Sequence, residues 1–193
     1  MKRIGLVIAA LLMAVFAGGA AANDHIGQFV VSAANPDLIE LTGKIDEHTL
    51  GDFHRALAQR PNTKVILLGS PGGYVDEALR LAAEIRSRGL STAIPKGFGC
   101  YSACTYLFFA GKEHVVRGEL GVHAVAQEGV APGKAYDGDV RAALKSYGCP
   151  KGVIQAMVST PSTELHVFSP REIAKYALNR ASAGSRTALY ANR

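Results

Sequence analysis

No cluster of five or six basic residues occurs in this chain of 193 residues, although its formal charge is +5. Setting aside Lys2 and Arg3 of the N-terminal segment lowers that charge to +3, spread along the chain. Nucleic acid is therefore not an expected partner. Zinc-site spacing is missing too. Neither CxxC nor HxxxH occurs, so no four-ligand set can be assembled, and no metal or cofactor is expected. Charged residues are only 19% against 48% hydrophobic, an ordinary globular balance that excludes disorder of the whole chain. Internal repeats are absent. Beyond residue 22 no apolar run is long enough to span a bilayer. The length suits one domain with a sizeable core.

Residues 1–22 read as a secretory signal. Met1-Lys2-Arg3 supplies the positive start, Ile4 to Phe16 the apolar middle, and Ala20-Ala21-Ala22 the small-x-small cleavage pattern. Cleavage after Ala22 is expected, leaving Asn23 first; an uncleaved anchor is the alternative. No cysteine lies near the cleavage point, which argues against lipid attachment. The expected location is periplasmic or secreted. Export permits a disulfide, and three cysteines, Cys100, Cys104 and Cys149, leave one thiol over. Cys100 with Cys104 is the first choice, because one helical turn brings such a pair within bridging range. That bridge would rigidify the turn between them. Cys149 pairing with either one is the alternative.

Strands alternate with helices along the rest of the chain. Residues 29–32 and 38–41 read as short strands around Asn35-Pro36-Asp37. Asp46 opens a helix on which Leu50, Phe53 and Leu57 share a face and His48 and His54 lie at the surface. Pro61-Asn62 ends it. Residues 65–68 form a continuous apolar run, the mark of a parallel strand buried on both faces. After Gly69-Ser70-Pro71-Gly72-Gly73 comes a helix with Val75, Ala78, Leu79, Ala82 and Ile85 as its stripe. Arg80, Glu84 and Arg88 pair on its outer side, and Gly89 caps it. Strands are expected at 91–94, 114–116 and 120–125, a loop at 126–138, and helices at 139–147, 152–158 and from Ser169-Pro170 to about Leu178. Residues 181–193 read as a flexible tail. The whole is an α/β protein with a largely parallel sheet.

One stretch stands out. Glycines and small residues lead up to Ser102, and an apolar run continues to Ala110 before the next charge at Lys112. That run reads as a buried helix. Ser102 at its start would meet unpaired N–H groups and the positive end of the helix dipole, which favour a developing negative charge. The simpler reading makes Ser102 a helix cap. Paired glycines, Gly72 and Gly73, let the backbone approach closely and present N–H groups. One such donor contributes about 2.7–4 kcal/mol to an oxyanionic transition state; the simpler reading gives them turn geometry only. His123, 21 residues after Ser102, can shuttle a proton or serve as a structural strand residue.

These residues in this order resemble the ClpP/crotonase superfamily, in particular the proteolytic subunit of the Clp protease. The resemblance rests on Gly69-Ser70-Pro71-Gly72-Gly73, on Tyr101-Ser102-Ala103 with Ala110-Gly111, on Gly121-Val122-His123, and on Val167 to Leu178 as a closing segment. It covers residues 28–180. It implies a ClpP/crotonase-like fold of repeated β-α-β units, with Ser102 as nucleophile and His123 as general base. The amides of Gly72 and Ala103, with Gly73 adjacent, would form an oxyanion hole. The family's aspartate has no counterpart. Thr163-Glu164-Leu165-His166 stands near its place, so either Glu164 orients His123 or the pair works as a dyad. The implied activity is an exported serine hydrolase, a peptidase acting on peptide or protein. Export removes the cytosolic ATPase partner and leaves a stand-alone or homo-oligomeric enzyme. The rival is a catalytically silent binding or assembly module. Acyl-CoA chemistry is a third reading, weakened by export away from the CoA pool.

Overall fold

The computed structural model describes residues 23–125 and 137–182; the expected signal segment, most of the 126–138 loop and the tail from 183 lie outside the described residues. The order is β1 (Asn23–Ile26), β2 (Phe29–Ser32), β3 (Leu38–Leu41), α1 (Thr49–Gln59), β4 (Val65–Leu68), α2 (Val75–Ser87), β5 (Ser91–Ile94), β6 (Gly99–Tyr101) and α3 (Cys104–Ala110). Then follow β7 (His114–Val116), β8 (Glu119–Val122), α4 (Asp137–Ser146), α5 (Lys151–Ser159), β9 (His166–Val167) and α6 (Pro170–Lys175).

A six-stranded sheet runs β1-β2-β3-β4-β5-β7. Its first three strands pair antiparallel; β3, β4, β5 and β7 pair parallel. A small sheet runs β6-β8-β9, with β6 parallel and β9 antiparallel to β8. The expected α/β architecture is observed. Phe29, Ile39, Leu41, Ile66, Leu68 and Ile94 from the large sheet share one core with Phe53, Leu81, Ile85 and all of α3. Each apolar residue of α3 is buried, as its uninterrupted hydrophobicity demands.

Several expectations shift. In α2 the buried face is Ala78, Leu81, Ala82 and Ile85, and Val75 and Leu79 only flank the core. Glu77 is buried because it reaches across to α1, accepting the Leu50 N–H at 2.8 Å. Arg80 therefore pairs with Asp76 and Glu77 rather than Glu84; Glu84 keeps Arg88. Gly89, at φ +64, caps α2 as expected, and Leu90 N–H reaches Ile85 O at 3.1 Å. The residue-120 strand ends at Val122, so His123 stands one residue past it. The last helix stops at Lys175, short of Leu178, where Tyr176 leaves helical geometry and Ala177 turns to φ 49. Strands β1, β6 and β9 were not anticipated. Asn23–Ile26 is mostly polar, Gly99–Tyr101 opens on glycine and His166–Val167 is two residues long, so none shows an apolar run.

Candidate active site

The site forms where the two sheets meet. Chain leaving β4 makes the Gly69–Gly73 turn, and chain leaving β6 makes the turn at Ser102. Ser70 joins them: its carbonyl accepts the Tyr101 N–H at 3.0 Å, and its buried hydroxyl oxygen accepts the Gly72 N–H at 3.1 Å. Gly72 sits at φ +93. A methyl group there would come 2.7 Å from Tyr101 O and 2.8 Å from Ser102 Cβ, so only glycine permits this approach. Gly73, at φ +151, has a different neighbour; a methyl there would meet Ile45 O at 1.9 Å. Ile45 clamps this turn, donating to Gly72 O at 2.8 Å and accepting from Tyr74 N–H at 2.9 Å.

Ser102 occupies the left-handed region at φ 55. That conformation costs a residue with a Cβ about 1–3 kcal/mol and persists only where the surroundings over-determine it. Here the Ser102 N–H donates to Gly121 O at 3.0 Å and its carbonyl accepts from Thr105 N–H at 3.0 Å. The Thr105 hydroxyl also donates to Gly121 O, at 3.1 Å. A disulfide joins Cys100 to Cys104 across the serine, with Cα atoms 5.3 Å apart. This is the first-choice pairing expected from the sequence. Ser102 is not a conventional cap; α3 starts two residues later, at Cys104. The side chain instead projects from a sharp strand-to-helix turn, which is how an exposed nucleophile is presented.

Oxyanion donors can be judged from which N–H groups are spent. Among the described residues the N–H groups of Gly73 and Ala103 donate to no acceptor. The expected Gly72 donor is engaged by Ser70 Oγ. Ala103 N lies 3.0 Å from where a Gly72 side chain would begin, so it faces the glycine turn.

His123 is half-buried, two residues beyond Gly121. Its Nδ1 lies 2.8 Å from Ala124 O, so as donor Nδ1–H it leaves Nε2 as the basic atom. No hydrogen bond joins His123 to Ser102, or Glu164 to His123. Glu164 is exposed and its side chain makes no hydrogen bond among the described residues. The imidazole–carboxylate pair formed in this region is His166 Nε2 with Glu172 Oε1, at 3.0 Å. Glu172 is fixed by the capping box with Ser169, which with its bonds to Ser169 holds its carboxyl below the usual range. The signal for that pair was the Ser169-Pro170-Arg171-Glu172 box; His166 lay six residues upstream and unlinked.

Two further features surround Ser102. The Tyr101 hydroxyl donates to Glu119 Oε2 at 2.5 Å, and that bond, aided by burial, raises the phenol's pKa. The large hydrophobic side chains exposed among the described residues are Tyr74, Leu165 and Val167. Tyr74 follows the glycine turn. Leu165 lies over Gly121 beside Tyr101, each near 3 Å from where a Gly121 side chain would begin. Cys149 is free and buried, and burial pushes its thiol up to about 12. Among the described residues no group of three or more His, Cys, Asp or Glu could hold a metal ion, and no helix is long and apolar enough to cross a membrane.

No protein-family model matches the chain, and no curated protein matches its sequence. Solved structures do match. One is a serine-to-alanine variant of the 1510-N membrane-bound stomatin-specific protease, with TM-score 0.55 and 20% identity over 78% of this chain and 81% of that one. Another is a lysine-to-alanine variant of the same protease in complex with a substrate peptide, with TM-score 0.53 and 21% identity over 72% of this chain and 71% of that one. At such identity the likeness is one of fold. The chain has a ClpP/crotonase-like fold, shared with this protease.

Proposed function

We propose that this protein is an exported serine peptidase with Ser102 as its nucleophile. The observation that carries the reading is Ser102 itself: a serine held at φ 55 on a strand-to-helix turn, against a glycine that admits no side chain. Strain of that kind at a half-buried serine whose hydroxyl is left unbonded among the described residues signals function more than stability.

In the reaction, Ser102 Oγ attacks the substrate carbonyl and His123 Nε2 takes its proton. The tetrahedral oxyanion accepts hydrogen bonds from the idle N–H groups of Gly73 and Ala103. His123 then returns the proton to the leaving amine. Water, deprotonated by the same imidazole, releases the acyl group from Ser102. Glu164 has no part in this; the enzyme works without a carboxylate third member. Closing the gap between His123 and Ser102 is left to substrate binding, since such bonds are commonly loose in the free enzyme. The exposed rim of Tyr74, Leu165 and Val167 suits a peptide with large apolar side chains beside the scissile bond.

Export is part of the reading. The Met1–Ala22 pattern and the Cys100–Cys104 bridge both support an oxidising compartment.

A lysine base is the second reading. It is favoured by the absence of a Ser102–His123 bond and by the lysine variant that holds a peptide in the structural neighbour. Lys134, in the segment that follows β8 and lies outside the described residues, is then the candidate.

A fluorophosphonate probe tests the proposal. Wild type labels, and Ser102→Ala abolishes labelling. His123→Ala slows it by about 10²–10⁴-fold if His123 is the base; Lys134→Ala does so in its place under the second reading. A folded wild type that never labels supports the silent module instead.

A further inference from the structure

Cys100 and Cys104 stand two residues either side of Ser102, one on β6 and one at the start of α3, and both are fully buried. The hydrogen bonds to the serine itself are few. Its N–H donates to Gly121 O, its carbonyl accepts from Thr105, and its hydroxyl makes no bond among the described residues. A residue with a Cβ leaves the left-handed region when its surroundings relax. Leaving it would rotate the Ser102–Ala103 peptide and swing the Ala103 N–H away from the Gly72–Gly73 turn. The five-residue covalent ring opposes that rotation.

We propose that the Cys100–Cys104 disulfide is a positioning element for the nucleophile, so that the chain is catalytically latent with both thiols reduced and gains activity when the bridge closes. This rests on the serine-hydrolase reading of the same site. Closing the bridge removes two protons and two electrons from the two thiols. A disulfide oxidant, either glutathione disulfide or a thiol–disulfide oxidoreductase, takes them up and becomes two thiols. Cys149, in the connection between α4 and α5, is buried and free while Cys100 and Cys104 are joined to each other. The consequence is a peptidase silent in a reducing compartment and competent after transfer to an oxidising one.

The test compares oxidised wild type, wild type isolated reduced with its thiols counted, the Cys100→Ala/Cys104→Ala double variant, and Cys149→Ala as control. The readouts are the kinetics of fluorophosphonate labelling and the thermal midpoint. Reduced and doubly substituted proteins are expected to stay folded, with at least a tenfold lower limiting labelling rate and an unchanged half-saturating probe concentration. Glutathione disulfide restores the rate of the reduced wild type and not of the double variant. Cys149→Ala labels like wild type. Equal labelling of folded oxidised and reduced protein overturns the positioning role and leaves Ser102 as nucleophile. Reduced protein that unfolds overturns it as well, since the bridge is then a folding staple. Oxidised wild type that never labels overturns the hydrolase reading itself.

Discussion

Acidification should destabilise this protein through His114, and the size of the effect follows from its surroundings. His114 lies on β7 with its ring packed against Phe108 at 4.8 Å and Phe109 at 5.6 Å between centroids. Its Nδ1 is buried without a hydrogen-bond partner. Burial lowers its pKa to about 4, with the Arg180 and Arg86 charges adding to the effect and the Gly111 backbone opposing it. The unfolded chain titrates near the ordinary histidine value of about 6.5. Between those two values the unfolded state binds a proton that the folded state refuses. Stability therefore falls as pH drops from about 6.5 to about 4, stays unaffected above that window, and loses nothing more below it. A gap of about 2.5 units corresponds to roughly 3 kcal/mol, a large share of the ordinary 5–15 kcal/mol total. His114→Leu removes the titration and keeps an apolar side chain among the phenylalanines. Urea unfolding of both proteins from pH 7.5 to 4 measures the difference. The carboxylates with lowered values, Asp46, Glu84 and Glu172, titrate alike in both and cancel. Wild type should lose roughly 3 kcal/mol more than the variant across the window. Parallel stability profiles for the two proteins would refute the argument.

Three substitutions bear on the site. Gly72→Ala places a methyl against Tyr101 O and Ser102 Cβ, so fluorophosphonate labelling should fall at least tenfold and stability by about 1–3 kcal/mol; labelling at the wild-type rate would contradict the close-approach argument. Glu164→Ala should leave labelling within twofold, because the carboxylate is exposed and unlinked to His123; a large loss would reinstate it as the third member. Leu165→Asp should lower turnover of peptides with large apolar residues while sparing labelling by a small probe, measured by kcat/KM on a peptide series.

The sequence was most informative where chemistry and conformation are both local. Ser102 between glycine-rich and apolar stretches, the Gly72–Gly73 turn, the Cys100–Cys104 spacing, the Gly89 cap and the Ser169-Pro170 helix start each depend on neighbours a few residues away. Their types therefore marked where the turns, the bridge and the helix ends fall. The apolar runs at β4 and α3 marked buried elements for the same reason: no polar residue interrupts them. Pairing between distant segments was not legible. Glu77 reads as a surface residue of α2 until α1 packs beside it and offers the Leu50 N–H. Glu164 lies beside the expected carboxylate position, yet the register of β8 with β9 and the α6 capping box give the imidazole–carboxylate pair to His166 and Glu172. Sequence alone also could not show that Ser102 adopts φ 55, since a backbone dihedral of that kind is imposed by what surrounds it. Ser70, Gly72, Gly121 and Thr105 come from three different segments, and only the packing of the two sheets brings them to one turn.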